Sequence, residues 1–321
     1  MILMPSDRYV SPTSPAALAL DGPWTHAYLH PHGLRLHAAT AGDPNARLVV
    51  FLHDTFGSWA DFRKFLAPLA ESKAHVAALD ARGYGLSDKP PHGYSLATAA
   101  TDLSGAIREL GHGRAVVVGY GTGAAVGWAL AAAEPQRVAG LLAINGVHPL
   151  DGTRAYRPYD PVARAALLAS RLPTLWRPTP NTPHGTVPGA GAAVEDLSGV
   201  LRLATTHLHK SCTEDFTGTE AFQEEAALYR LAASIENAAP AIRRNARMPA
   251  ARPPSSWTGR VSAPVWLLHD DASVPDSALD RARRRAPELR AFSLPGTKRA
   301  PHLEDPTAVL QLIREFLADL Q

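Results

Sequence analysis

Residues 115–133 read AVVVGYGTGAAVGWALAAA. Val116, Val117 and Val118 are β-branched and suit a strand. Gly119, Gly121 and Gly123 supply the backbone freedom of a tight turn. Val126, Trp128 and Leu130 then recur at helical spacing in an Ala-rich run. The stretch therefore reads as strand, sharp turn, helix, and the chain is organised around it. Two other readings are weaker on its residues. It is uncharged over a length that could cross a bilayer, but four glycines with Tyr120 and Thr122 make a poor span. Gly119-x-Gly121-x-x-Ala124 also fits a dinucleotide-binding turn, which wants an acid closing the next strand. That strand, Val138 to Asn145, closes on Asn145, so nothing calls for a nucleotide cofactor.

The totals narrow the function classes. At 321 residues the chain suits one large α/β domain with an insertion. Hydrophobic residues make up 45% of it, enough for a sizeable core. A net charge of +2 without a long basic run argues against nucleic acid as a partner. Cys212 is the one cysteine, which excludes an internal disulfide and a cysteine-rich metal site. The first residues, MILMPSDRYVSPTSP, lack the basic start and apolar length of a secretory signal. Residues 1–21 read as a flexible arm, and a cytoplasmic location is expected.

Strand and helix patterns alternate along the rest. Strands are expected over Thr25–His30, Leu34–Thr40, Arg47–His53, His75–Asp80, Ala115–Tyr120, Val138–Asn145, Pro264–His269 and Leu289–Leu294. Between them, apolar residues at helical spacing mark helices near Phe62–Leu69, Leu96–Leu110, Asp276–Ala286 and Pro306–Leu320. Continuous apolar strands such as RLVVFLH suit a parallel sheet covered on both faces. The alternation breaks after Pro149. Residues 150–259 show only helical segments, at Val162–Leu172, Val194–His209, Glu220–Ser234 and Ala238–Arg247, around Pro/Gly-rich links. The expected organisation is an α/β core of residues 22–149 and 260–321 interrupted by an all-helical cap.

Specific motifs refine this. They are Phe51-Leu52-His53, the run Asp80-x-Arg82-Gly83-Tyr84-Gly85-x-Ser87-Asp88-Lys89-Pro90-Pro91-x-Gly93-Tyr94, the turn Gly119-Tyr120-Gly121-Thr122-Gly123, His148-Pro149, Asp271-x-x-Val274-Pro275 and the segment Gly296 to Pro306. In order and spacing they resemble the α/β-hydrolase superfamily, specifically its epoxide-hydrolase-like branch with a helical cap. The resemblance covers the chain from about Trp24 onward outside the cap. It implies an α/β-hydrolase fold with a mainly parallel eight-stranded sheet. It also implies a nucleophile lifted on the glycine turn, a histidine base and an orienting carboxylate.

Position by position, that machinery is degenerate. The nucleophile position holds Gly121, which has no atom to attack with. Thr122 falls one residue late, so its backbone N–H, not its hydroxyl, should face the site. The base position holds Arg299, which stays protonated and cannot accept a proton. His302 matches a second, structural histidine. The acid position keeps Asp271, for which an ion pair with Arg299 is expected. The oxyanion loop reads His53-Asp54-Thr55-Phe56-Gly57, placing a carboxylate where negative charge would develop. His53 is expected to pack. Where relatives carry a cap tyrosine this chain has Ala241 and Ile242; Tyr156, Tyr159 and Tyr229 remain pocket-lining candidates. His53, Asp54, Asp270, Asp271 and His302 lack metal-ligand spacing, and no metal is expected.

Three readings follow. The first is a hydrolase-fold protein without the covalent reaction, keeping a pocket for a small apolar or carboxylate ligand, the latter held by Arg299 and the turn's N–H groups. The second is an enzyme of altered chemistry using Asp54, Asp271 or His302. The third is a structural module. Two titratable side chains converging above Gly121 would favour the second. The sequence sets no oligomeric state.

Overall fold

The computed structural model describes residues 11–151, 190–246, 248, 257, 260–270 and 274–320. Its strands are β1 Thr25–Leu29, β2 Leu36–Ala41, β3 Arg47–Leu52, β4 Ala74–Leu79, β5 Ala115–Tyr120, β6 Val138–Ile144, β7 Val265–Leu268 and β8 Leu289–Phe292. They form one sheet in the order β1-β2-β4-β3-β5-β6-β7-β8. β2 pairs antiparallel with β1 and β4; every other pairing is parallel. The longer helices are α1 Arg63–Glu71, α2 Leu96–Glu109, α3 Thr122–Ala133, α4 Ala190–Ser211, α5 Glu220–Ser234, α6 Ala238–Asn245, α7 Asp276–Arg285 and α8 Pro306–Asp319.

Side-chain alternation along the strands builds a core on each face. Val49 and Phe51 of β3, with Val116, Val118 and Tyr120 of β5, face α1 and α8. Leu48, Val50 and Leu52 of β3, with Ala115 and Val117 of β5, face α2, α3 and α7. This two-sided burial is why these strands read as unbroken apolar runs. Between β6 and β7 the chain inserts α4, α5 and α6. Val200, Ala204 and Leu208 of α4 join the first core. Arg63 on α1 donates twice to Glu225 on α5, at 2.8 Å each, and Lys64 adds a contact of 2.9 Å.

Register brings the site together. β3 and β5 run side by side, Leu52 opposite Gly119. The loop leaving β3 therefore lies against the turn leaving β5, at the carboxyl ends of the parallel strands where α/β folds place ligands.

Some expected boundaries shift. β3, β4 and β6 end one residue early, before His53, Asp80 and Asn145. Each of those polar side chains makes contacts in the loops instead. β8 stops at Phe292. The arm is anchored from Thr13 onward. Thr13 N–H donates to the Ser234 carbonyl, and Glu236 N–H to the Thr13 carbonyl, at 2.8 and 2.9 Å. Leu18 is fully buried, and its carbonyl accepts from Trp59 Nε1 at 3.0 Å. The expected helix at Val162–Leu172, Tyr156, Tyr159 and Asp271 lie outside the described residues. No described helix is long and apolar enough to cross a membrane.

Candidate functional site

Gly121 sits at the N-cap of α3 with φ 53° and ψ −110°, a conformation that strains any residue bearing a side chain. Gly123, one step on, lets α3 approach the carbonyls of Leu52 and His53 so closely that a Cβ would collide with them. A Cβ built on Gly121 would overlap Oδ1 and Cγ of Asp54. The space above the elbow that a nucleophile would enter is thus filled by a carboxylate from the neighbouring loop.

Asp54 is tightly held there. Its Oδ1 accepts the Thr122 N–H at 2.7 Å, and Thr55 N–H also bonds to it. Its Oδ2 lies 3.1 Å from His207 Nε2, on α4. Burial alone would raise its pKa. His207 and the two backbone donors outweigh burial and hold the carboxyl well below the usual range, so Asp54 is ionised at neutral pH. In the covalent mechanism the N–H after the nucleophile stabilises the oxyanion. The Thr122 N–H, which the sequence reading sets at that position, donates to the Asp54 carboxylate. The Thr122 hydroxyl turns away, paired with Thr55 Oγ1 at 2.7 Å.

The histidines divide clearly. His53 Nδ1–H donates to the Asp54 carbonyl at 2.7 Å, and Nε2 accepts from Ala81 N–H at 3.1 Å. Both nitrogens are occupied, and burial lowers its pKa, so His53 is a neutral brace of the loop. His302 is fully buried and packs 5.2 Å from Phe62 and 4.4 Å from Tyr120 between ring centroids. Neither of its ring nitrogens has a hydrogen-bond partner among the described residues. Burial drives its pKa down to about 3, so the imidazole is neutral at pH 7. Tyr229 is buried, its hydroxyl donating to Asp61 at 3.3 Å, and it does not line the cavity described below.

The backbones of Arg299 and Asp270 meet at the end of β6. Asn145, at φ 47°, donates from Nδ2 to the Arg299 carbonyl at 2.7 Å. Its Oδ1 accepts the Asp270 N–H at 3.1 Å. The Arg299 charge reaches Tyr120, while the corner beside Gly121 belongs to Asp54. The carboxylate-binding corner expected there is already filled by a carboxylate. Among the described residues no group of three His, Cys, Asp or Glu side chains could hold a metal ion.

Beside Asp54 lies a cavity of about 50 Å³, lined by Leu52, Leu79, Tyr84, Leu103, Val126 and Met248 among others. That volume holds a few waters. His207 was missed by sequence reasoning. It sits three residues after Ala204 and one before Leu208, beside the buried stripe of α4, and a polar residue on that edge was the available signal.

A family model described as alpha/beta hydrolase fold matches residues 47–306. Epoxide hydrolase 4 of Homo sapiens is 34% identical over 139 residues, covering 42% of this chain and 38% of that protein. Epoxide hydrolase B of Mycobacterium tuberculosis is 36% identical over 124 residues, 37% of this chain and 35% of its own length. The match spans under half the length of these relatives. Among solved structures, an epoxide hydrolase from Bacillus megaterium bound to an inhibitor is 22% identical, with TM-score 0.68 over 91% of this chain and 100% of that one. The enol-lactonase from Burkholderia xenovorans LB400 is 19% identical, with TM-score 0.69 over 91% and 100%. Structures named for different reactions share this fold, so the fold by itself selects no reaction.

Proposed function

This chain belongs to the α/β hydrolase fold family, and we propose that it keeps the family's pocket but not its covalent hydrolysis. The observation that carries the reading is the Asp54 carboxylate over Gly121. Attack requires a nucleophile on the elbow and an empty oxyanion hole. The elbow residue has no side chain, and the Thr122 donor is taken by an anion. Arg299 at the base position cannot accept a proton. Each loss alone would remove most of the rate of a triad, whose members act as a unit. The pocket between the core and the inserted helices then serves to bind a small molecule.

The test is a panel of epoxides and p-nitrophenyl esters. No turnover above buffer is expected from the native chain. The triple variant Asp54→Gly, Gly121→Asp, Arg299→His clears the carboxylate from the loop, puts a carboxylate nucleophile on the elbow and a histidine at the base position, and is expected to gain epoxide turnover. Native turnover that is lost in Asp271→Ala would overturn the proposal.

One contact favours a second reading, an enzyme of altered chemistry. Asp54 and His207 are two titratable side chains meeting above Gly121, and such a pair could activate a water. Against it, both Asp54 oxygens are engaged and His207 does not line the cavity. Turnover in the native chain that survives Asp271→Ala but not His207→Ala would establish this second reading.

A further inference from the structure

We propose that His26 and His37 carry three ring protons between them, one more than two neutral imidazoles hold, and that the extra proton fastens the arm of residues 13–20 to the sheet and releases it as pH rises. The register of β1 and β2 sets Tyr28 opposite His37 and His26 opposite Ala39, which puts both imidazoles on one face as diagonal neighbours. Three hydrogen bonds then run in a chain. His26 Nε2 lies 3.0 Å from the Leu20 carbonyl oxygen, His26 Nδ1 lies 2.8 Å from His37 Nε2, and His37 Nδ1 lies 2.8 Å from Asp80 Oδ2. Each bond needs one proton. A carbonyl oxygen has none to give, and neither has an ionised carboxylate. Burial alone would raise the Asp80 pKa, but the hydrogen bond and charge of His37 outweigh it and hold the carboxyl below its usual range. The Trp59 and Leu86 N–H groups also donate to that carboxylate, at 3.0 Å each. The three protons therefore sit on the two imidazoles, and one ring is an imidazolium.

The surroundings suit one charge and no more. Trp59 stands steeply across both rings, centroids 5.3 and 5.9 Å away, and an aromatic ring at that range attracts a cation. The two imidazoles stack at 5.0 Å, so a second charge would repel the first. When the extra proton leaves, two protons must serve three bonds. His37 and Asp80 are fully buried, and a bond to a buried carboxylate is the costliest to lose. The bond given up is the one at the arm, where a bare His26 Nε2 then faces the Leu20 oxygen. That carbonyl keeps only the Trp24 Nε1 donor at 2.9 Å. The arm runs back from Leu20 through buried Leu18 to Thr13, which bonds Ser234 and Glu236 at the end of α5. The latch thus tightens a strap that joins the sheet to the inserted helices. Other charged groups flank the chain. Lys89 donates to the Gly85 and Ser87 carbonyls and lies in the field of Asp80, Asp88, Arg35 and Glu236. Arg35 and Asp88 pair at 3.4 Å. His53 shares the field of Asp80, Tyr28 flanks His37 at 5.8 Å between centroids, and Asp21 follows Leu20 in the chain.

The experiment uses the full chain with nitrogen-15-labelled histidine. At pH 7.5 its spectra should show three protonated nitrogens among the four of His26 and His37. The docked arm binds one proton more than the free arm, so docking is strongest at low pH and weakens above the ordinary histidine value of about 6.5. Hydrogen exchange at the Thr13 and Glu236 amides, corrected for its intrinsic pH dependence, should lose protection over that range. The loss should approach about tenfold per pH unit, the limit for one proton. His26→Gln keeps an amide donor for the Leu20 carbonyl but nothing to titrate, and its protection should fall far less. A slope that comes from Lys89 or His53 survives that variant. The proposal is overturned if the two rings carry only two protons at pH 7.5, if native protection is flat between pH 6.5 and 8.5, or if the slope is as steep in His26→Gln. Neither readout involves turnover or a ligand, so the proposed loss of covalent hydrolysis stands or falls separately.

Discussion

Gly121→Ala should destabilise the protein severely, and the structure divides the cost into two parts. At φ 53° and ψ −110° a side chain stores about 1–3 kcal/mol of backbone strain. The new Cβ also overlaps the Asp54 carboxylate, which must leave the Thr122 N–H and His207. Losing a hydrogen bond to a charged group costs about 1.5–3 kcal/mol. The total is about 2.5–6 kcal/mol, a large share of ordinary domain stability. Only the second part depends on Asp54. Urea unfolding of the native chain, Gly121→Ala, Asp54→Ala and the double variant closes a thermodynamic cycle. Gly121→Ala should cost about 1.5–3 kcal/mol less once Asp54 is Ala. Additivity within about 0.5 kcal/mol would mean that the carboxylate does not stand over the elbow, and the reasoning about the filled site would fail.

His207→Ala should lower the unfolding free energy at pH 7 by about 1–3 kcal/mol, the cost of leaving a buried charged acceptor short of a partner. In an Asp54→Ala background the same change should cost almost nothing, and equal costs in both would refute the pairing. Asp61 is raised to about 8, first by burial and further by Glu225. Its folded pKa lies above its unfolded value of about 3.9, so its contribution is complete below pH 4 and declines up to pH 8. Melting curves between pH 5 and 8 should show this decline in the native chain and lose it in Asp61→Asn; an unchanged profile would refute it. His302→Leu removes an unmatched buried imidazole and should raise the melting temperature, whereas a clear drop would show that the ring is paired.

The architecture was legible because its signals are local. Apolar runs such as Leu48 to Leu52 and helical spacing in 306–319 belong to single elements, and their alternation dictates a parallel sheet. Gly121 and Arg299 drew notice in the sequence because they fall in motifs with fixed spacing, and their reading as altered catalytic positions is part of the proposal. What filled the gap was not legible. Asp54 reaches the elbow because Leu52 aligns with Gly119, a register that no single segment encodes. His207 arrives from an inserted helix far along the chain, and Thr13 docks on Ser234 in the same long-range way. The expected Asp271–Arg299 pair falls on a residue outside the described set.

Intact-protein mass measurement after incubation with a reactive epoxide and with an activated ester tests the central claim most directly. With Gly121 bare and Asp54 locked against Thr122 and His207, the native chain is expected to keep its mass, while the triple variant Asp54→Gly, Gly121→Asp, Arg299→His acquires one covalent adduct at position 121. An adduct on Asp54 or Thr122 of the native chain, formed and then hydrolysed in step with turnover, would contradict the account.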